Sequence, residues 1–269
     1  MIGAIIGDIV GSPYEFNANN IKTTDFPLFN EKSYITDDSI MTCAVAEALF
    51  YAGNSELYFK ETLIDTMKAY GQEYQNAGYG PRFRSWLFNN TREPINSFGN
   101  GSAMRVSPVA WRYDDLASVL KYAKLSAEVT HNHPEGIKGA QTVASAIFLA
   151  RSGKNKKEIY EYIVSNFGYD LSKSCDEIRP DYKMDATCQG SVPQAIRAFL
   201  EGNTFEECIR LAVSLGGDSD TIACITGSIA EAYYTIPFWI KKRVIDMLKS
   251  KKLLYPAYVM FSKTFINNV

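Results

Sequence analysis

Histidine is scarce in this 269-residue sequence: there are two, His131 and His133. A histidine-rich metal centre is therefore excluded. Cysteine is thin as well. The five cysteines (Cys43, Cys175, Cys188, Cys208, Cys224) are an odd number without a Cys-x-x-Cys pair, which argues against a disulfide framework or a zinc ribbon. Net charge is nearly absent. Lys plus Arg is 28 and Asp plus Glu is 30, a formal charge of −2, so a general nucleic-acid or membrane-surface binder is not expected. No apolar run reaches the ~20 residues that span a bilayer. The opening MIGAIIGDIVGS is apolar, but no basic leader precedes it and it meets Asp8 almost at once, so it reads as core and not as a signal peptide. Buried reduced thiols in a cytoplasmic protein follow from this pattern.

Period-two alternation is also missing, and helical punctuation takes its place. Asp38 to Phe50 reads as a buried helix closed by Gly53, and Ser55 can cap the next, through about Tyr74. Residues 76–110 are rich in Gly, Asn, Pro and aromatics, which suits a long ordered loop carrying short helices. Helices are expected over Leu116–Val129, Gly139–Arg151 and Lys156–Asn166, followed by a polar stretch to Lys183. In the last third, Pro193 reads as the first turn of a helix closed by Gly202, Thr204 with Glu207 as a capping box, and Asp218–Tyr234 as a central apolar helix. Pro237 to about Lys252 reads as a final amphipathic helix with a solvated basic face. The expected fold is all-α: one compact domain over residues 1–269, with more helices than a four-helix bundle needs.

Two acidic turns carry the chemical signal. Thr36-Asp37-Asp38-Ser39 and Gly216-Gly217-Asp218-Ser219-Asp220-Thr221 each open directly into an apolar helix. One such residue at a helix start is an ordinary N-cap. Here four carboxylates and two threonine hydroxyls serve two helix starts, more than capping requires. If the two helices lie side by side, the carboxylates crowd, and a cation or protons must offset the repulsion. Oxygen-only ligands suit Mg²⁺, Mn²⁺ or Ca²⁺, with two ions sharing a carboxylate. Asp8, in Gly-Asp-Ile-Val-Gly, reads as a structural cap, and Glu15 follows it.

Five motifs in order then resemble the ADP-ribosylglycohydrolase family, over nearly the whole chain. They are Gly-Asp-x-x-Gly-x-x-x-Glu at 7–15, Thr-Asp-Asp-Ser at 36–39, Phe-Gly-Asn-Gly-Ser-Ala-Met-Arg at 98–105, Thr-His at 130–131, and Ser-Leu-Gly-Gly-Asp-Ser-Asp-Thr-Ile-Ala at 214–223. The resemblance implies an all-α fold with a binuclear Mg²⁺ (or Mn²⁺) centre. It implies Thr36, Asp37, Asp38, Asp218, Asp220 and Thr221 as metal ligands, with Glu15 and Asp218 handling protons. Gly99, Asn100, Gly101, Ser102, Met104 and Arg105 would wrap ADP-ribose, and His131 would sit at the cleft.

The implied activity is hydrolysis of the bond between ADP-ribose and its acceptor. The substrate would be an ADP-ribosylated protein, arginine- or serine-linked, or a small ester such as O-acetyl-ADP-ribose, and the enzyme a monomer. Backbone N–H groups of the Gly-Asn-Gly-Ser loop suit a diphosphate, although Asn-Gly also makes plain turns. Tyr79, Phe83 and Trp86 read as an adenine platform or as local core. Arg82 and Arg105 read as phosphate or acceptor contacts or as structural ion pairs, and His131 as a substrate contact or a structural hydrogen bond. A non-catalytic ADP-ribose reader or toxin-immunity protein with the same cleft is the alternative.

Overall fold

The computed structural model describes residues 1–53 and 55–266. Every regular element among them is helical, and the one β-bridge, between Gly99 and Thr187, stands alone. The order is α1 (Ile2–Gly11), α2 (Asp37–Ala52), α3 (Glu56–Glu73), α4 (Pro81–Phe88), α5 (Gly101–Met104), α6 (Ser107–Arg112), α7 (Leu116–Glu128) and α8 (Pro134–Arg151). There follow α9 (Lys156–Phe167), α10 (Cys175–Ile178), α11 (Cys188–Glu201), α12 (Phe205–Ser214), α13 (Ser219–Tyr233), α14 (Phe238–Leu248) and α15 (Leu254–Phe261). The central helix is α13, buried from Ser219 to Ala230 and surrounded by α1, α2, α5, α8, α11 and α12.

The apolar amino-terminal segment is a helix, and its glycines decide where the site forms. Gly3, Gly7 and Gly11 recur every four residues and so share one face of α1. A Cβ built on Gly3 would fall 2.2 Å from Gly227 O, one on Gly7 1.9 Å from Ala223 O, and one on Gly11 2.5 Å from Asp220 Cα. The descending partner numbers make α1 and α13 antiparallel, with their backbones in contact. The same helix also packs on α2. Its carboxyl end therefore lies beside the starts of both α2 and α13, and the two acidic turns open there.

Most helix boundaries follow the punctuation. Gly53 closes α2 at a left-handed φ of 59°, and the Ser55 side chain accepts from Tyr58 N at the start of α3. Four readings differ. The helix after Pro237 is not the final one: α14 ends at Leu248 and α15 follows it. Helix α8 begins a turn before Gly139, because His133 caps it and Pro134 takes the first position, where a missing N–H costs nothing. Helix α11 begins at Cys188 under a Thr187 cap, which puts Pro193 inside the helix and not in its first turn. At α12, Thr204 accepts from Glu207 N, but the Glu207 carboxylate takes Asn203 N, so the box is shifted by one residue. All five cysteines are buried and unpaired. Among the described residues no helix is long and apolar enough to cross a membrane.

Candidate functional site

The acidic turns, 180 residues apart in sequence, meet. Thr221 Oγ1 donates to Asp38 Oδ2 at 3.2 Å, joining the start of α13 to the start of α2. One carboxylate oxygen from each of Glu15, Asp218 and Asp220 lies within 4.8 Å of the others. Thr36 is the N-cap of α2, its hydroxyl accepting from Asp38 N. Asp8 is indeed a cap, but for a helix distant in sequence. From α1 it accepts Thr36 N and Ser39 N at 3.1 Å each, Thr36 Oγ1 at 2.7 Å, and the Ser39 hydroxyl.

Two further devices aim the carboxylates. Gly216 and Gly217 both adopt left-handed φ, 74° and 70°, which turns the chain so that Asp218 enters the cluster. Asn100 Nδ2 then donates to Asp218 Oδ2 at 2.6 Å, fixing that carboxylate from the glycine-rich loop. Asn20 joins two parts of the site. Its side chain donates to Tyr14 O and Phe16 O, and it pairs with both the N–H and the carbonyl of Gly217. It thereby ties the loop bearing Glu15 to the turn bearing Asp218. An asparagine in a loop gives no sequence signal of such a long-range bond.

Burial and mutual repulsion make this cluster a poor place for bare charge. Burial, then the neighbouring Asp8 charge, pushes the Asp37 and Asp38 carboxyls well above the usual range. Burial and then Asp218 and Asp38 do the same for Asp220. Asp218 is raised by burial against its hydrogen bonds to Asn100 and others. Glu15 is pushed up to about 7 by burial and then by Asp218 and Asp8, and Asp8 to about 6 by burial. Asp38 Oδ1 is buried with no hydrogen-bond partner among the described residues. An orphaned carboxylate oxygen beside crowded carboxylates, with hydroxyls and no nitrogen or sulfur ligand, fits hard divalent cations.

A stability test follows from the sign of these shifts. Carboxyls raised in the fold bind more protons than in the unfolded chain between about pH 4 and pH 7. Their contribution is therefore complete below the unfolded values and is lost as pH rises through the folded ones. With a chelator present, the melting temperature should fall as pH is raised from 5 to 8. Saturating Mg²⁺ should restore about 5–10 °C at pH 8 and little at pH 5, where protons compete with the metal. Calorimetric melts at both pH values check this, and a Mg²⁺ effect equal at both would contradict it.

The cluster forms one part of the wall of a cavity of about 540 Å³, which Glu15, Asp37, Asp38, Asp218, Asp220 and Thr221 line. Another part is lined by Gly99, Asn100, Gly101, Met104, Arg105 and His131, with Arg82 beside them. The loop at 99–105 is pinned from outside, Asn100 N donating to Ala186 O and Cys188 N to Phe98 O. Of the residues singled out in the sequence, Thr36 and Ser102 lie behind the wall. Thr36 is bonded to Asp8, and the Ser102 hydroxyl donates to Gly136 O at 2.7 Å. Arg105 is fully buried, with no carboxylate partner among the described residues. Its Nη2 donates to Ser126 O and Thr130 Oγ1.

The aromatic residues divide. Tyr79 and Phe83 line the cavity. Trp86 is buried behind Phe83, stacked on it at 5.8 Å, and donates to Glu93 O, so it is local core. His133 serves as the cap of α8 and packs edge-on against Phe98. Phe16, Ser97, Met184 and Ala186 also line the cavity, as do Gly78, Gly80 and Pro81. Their types carry no chemical signature, which is why the sequence does not mark them.

The sequence model of the ADP-ribosylglycohydrolase family matches residues 1–257. The chain is 28% identical to the ADP-ribosylhydrolase ARH3 of Gallus gallus, covering 87% of this chain and 84% of that protein, and equally identical, with the same coverage, to ARH3 of Homo sapiens. It is 26% identical to the ADP-ribosylarginine hydrolase Tri1 of Pseudomonas putida, covering 90% of this chain and 72% of that one. Among solved structures, one titled as an ADP-ribosylglycohydrolase-related protein complex superposes with a TM-score of 0.66 at 23% identity, over 97% of both chains.

Proposed function

Because the chain belongs to the ADP-ribosylglycohydrolase family and is a hydrolase, we propose that it removes ADP-ribose from an acceptor by metal-dependent hydrolysis at the anomeric carbon. The observation that carries this reading is the cavity's division. It is acidic where α2 and α13 begin. Elsewhere it is lined by the glycine-rich loop, by His131, which burial holds well below its ordinary pKa, and by the buried Arg105, which has no carboxylate partner among the described residues. ADP-ribose has matching parts: a distal ribose whose hydroxyls can ligate metal, and a diphosphate that needs donors and positive charge. The volume lies within the roughly 300–1,000 Å³ of small-molecule sites.

Thr36, Asp37, Asp38, Asp218, Asp220 and Thr221 would hold two Mg²⁺ (or Mn²⁺) ions, which when bound supply charge at the ribose and lower the pKa of water. Glu15 has the position for acid–base work: it lines the cavity with a carboxylate oxygen close to those of Asp218 and Asp220. With Asp218 it would take the proton of the attacking water and return one to the departing acceptor atom. The bond from the anomeric carbon to the acceptor breaks as the bond to the water oxygen forms. Asn100 holds Asp218 in place for this. The Gly101 end of the glycine-rich loop and His131 would bind the diphosphate side, the Gly99 and Asn100 N–H groups being committed to Ser97 Oγ and Ala186 O, with Met104 packing against Thr221.

The test is a panel of arginine-linked, serine-linked and O-acetyl substrates incubated with Mg²⁺, with free ADP-ribose quantified by chromatography. Release from at least one, abolished by a chelator, is expected. Tight ADP-ribose binding by calorimetry with no release from any member would favour a non-catalytic reader instead.

A further inference from the structure

We propose that Arg105 and Thr130 are positioning residues that lock His131 as a neutral imidazole with its proton on Nε2, a fixed donor for a phosphoryl or hydroxyl oxygen of the ligand. The inference rests on the ADP-ribose reading for the ligand, but the lock itself is argued from hydrogen-bond bookkeeping alone. Arginine is only ever a donor. Both hydrogens of Arg105 Nη2 are committed, one to Ser126 O and one to Thr130 Oγ1, each at 2.9 Å. Thr130 is fully buried, and its hydroxyl has a single proton to place. Its other neighbour is His131 Nδ1, at 2.7 Å.

If Nδ1 carried a hydrogen, it would have to donate to Thr130, and the threonine proton would be left buried without an acceptor. Such an orphaned donor is expensive. Thr130 therefore donates to Nδ1, and the ring proton belongs on Nε2. Protonation of the ring would require a hydrogen on Nδ1 and is blocked by the same contact. The charged groups acting on the ring agree: both Arg105 and Arg82 are cationic, and with burial, the largest cause, they hold His131 well below its ordinary value.

Nε2 is at the glycine-rich loop. A Cβ on Gly101 would fall 3.0 Å from it and one on Gly99 3.6 Å. Among the described residues no protein group bonds it, and the ring lines the cavity. Arg105, with no exposed surface, acts on this donor through Thr130 and His131. Its unpartnered Nε and Nη1 leave a buried positive charge behind the donor.

Two histidines make the test direct. In ¹⁵N-histidine-labelled protein with Mg²⁺, long-range proton–nitrogen spectra report each ring's tautomer, and His133→Asn, which keeps a capping side chain, assigns the signals. Wild type should show His131 as the Nε2–H form. Thr130→Val should release a mixture of tautomers and weaken ADP-ribose binding about tenfold, and Thr130→Ser should restore both. An Nδ1–H signal in wild type, or a valine variant that folds with its tautomer unchanged, would overturn the lock. If the valine variant fails to fold, the wild-type and serine spectra decide. If wild type does not bind ADP-ribose, the functional reading falls, while the spectra still decide the lock.

Discussion

Asp220→Asn should lower the rate of ADP-ribose release by about 10³-fold, roughly 4 kcal/mol of transition-state stabilisation. The substitution changes one oxygen to an amide and leaves the shape alone. It acts at a carboxylate raised by burial and then by Asp218 and Asp38, with an oxygen within 4.8 Å of those of Glu15 and Asp218. The same change should make the metal-free protein more stable at pH 8, because one of the repelling buried charges is gone. It should also abolish the Mg²⁺ increment in melting temperature. Opposite movements of activity and metal-free stability distinguish loss of a ligand from a damaged fold, which lowers both. Steady-state rates on an accepted substrate, paired with melts in chelator, check the pair. Activity within tenfold of wild type would detach the cluster from the reaction.

How much of this site could be read from residue order depends on how local each signal is. The two acidic turns are visible because they oversupply oxygen to helix starts, and that excess is a local property of four residues at one turn and six at the other. The glycine-rich loop is visible for the same reason. What residue order does not give is the element that joins them. The spacing of Gly3, Gly7 and Gly11 is there to be read, but an apolar ten-residue segment fits a buried strand or helix equally until a partner is known. Its partner, α13, lies over 200 residues away. Asp8 is legible as a cap, yet the helix it caps is α2 and not its own, since hydrogen bonds between distant segments leave no periodic trace. Asn20 and the Arg105–Thr130–His131 chain fall in the same class. The wall residues Phe16, Met184 and Ala186 are harder still, because only cavity shape selects them. The early start of α8 and the interior Pro193 of α11 show the other limit: a proline marks a helix but not which turn of it.

Gly7→Ala should destabilise the protein by about 3 kcal/mol or more, and its direction opposes intrinsic preference. In a helix interior, alanine is favoured over glycine by about 1 kcal/mol, so propensity alone would stabilise α1. Contact with α13 reverses the sign. The new Cβ would lie 1.9 Å from Ala223 O and 2.2 Å from Ala223 C, both backbone atoms of a buried helix that cannot rotate away. The helices must then separate along their length, and overpacking of this kind costs 1–3 kcal/mol or more. For a chain of this size each kcal/mol is worth about 2–4 °C in melting temperature. Gly11→Ala tests the link from packing to site. Its Cβ would meet Asp220 Cα at 2.5 Å, so it should weaken the Mg²⁺ response more than its loss of stability accounts for. Gly80→Ala is the control: it has ordinary φ and no atom within 4 Å of its built Cβ, and should stay within about 0.5 kcal/mol of wild type. Urea melts of the three variants, with and without Mg²⁺, give the comparison. A Gly7→Ala protein as stable as wild type would mean that α1 and α13 do not touch backbone to backbone, and the meeting of the acidic turns would lose its cause.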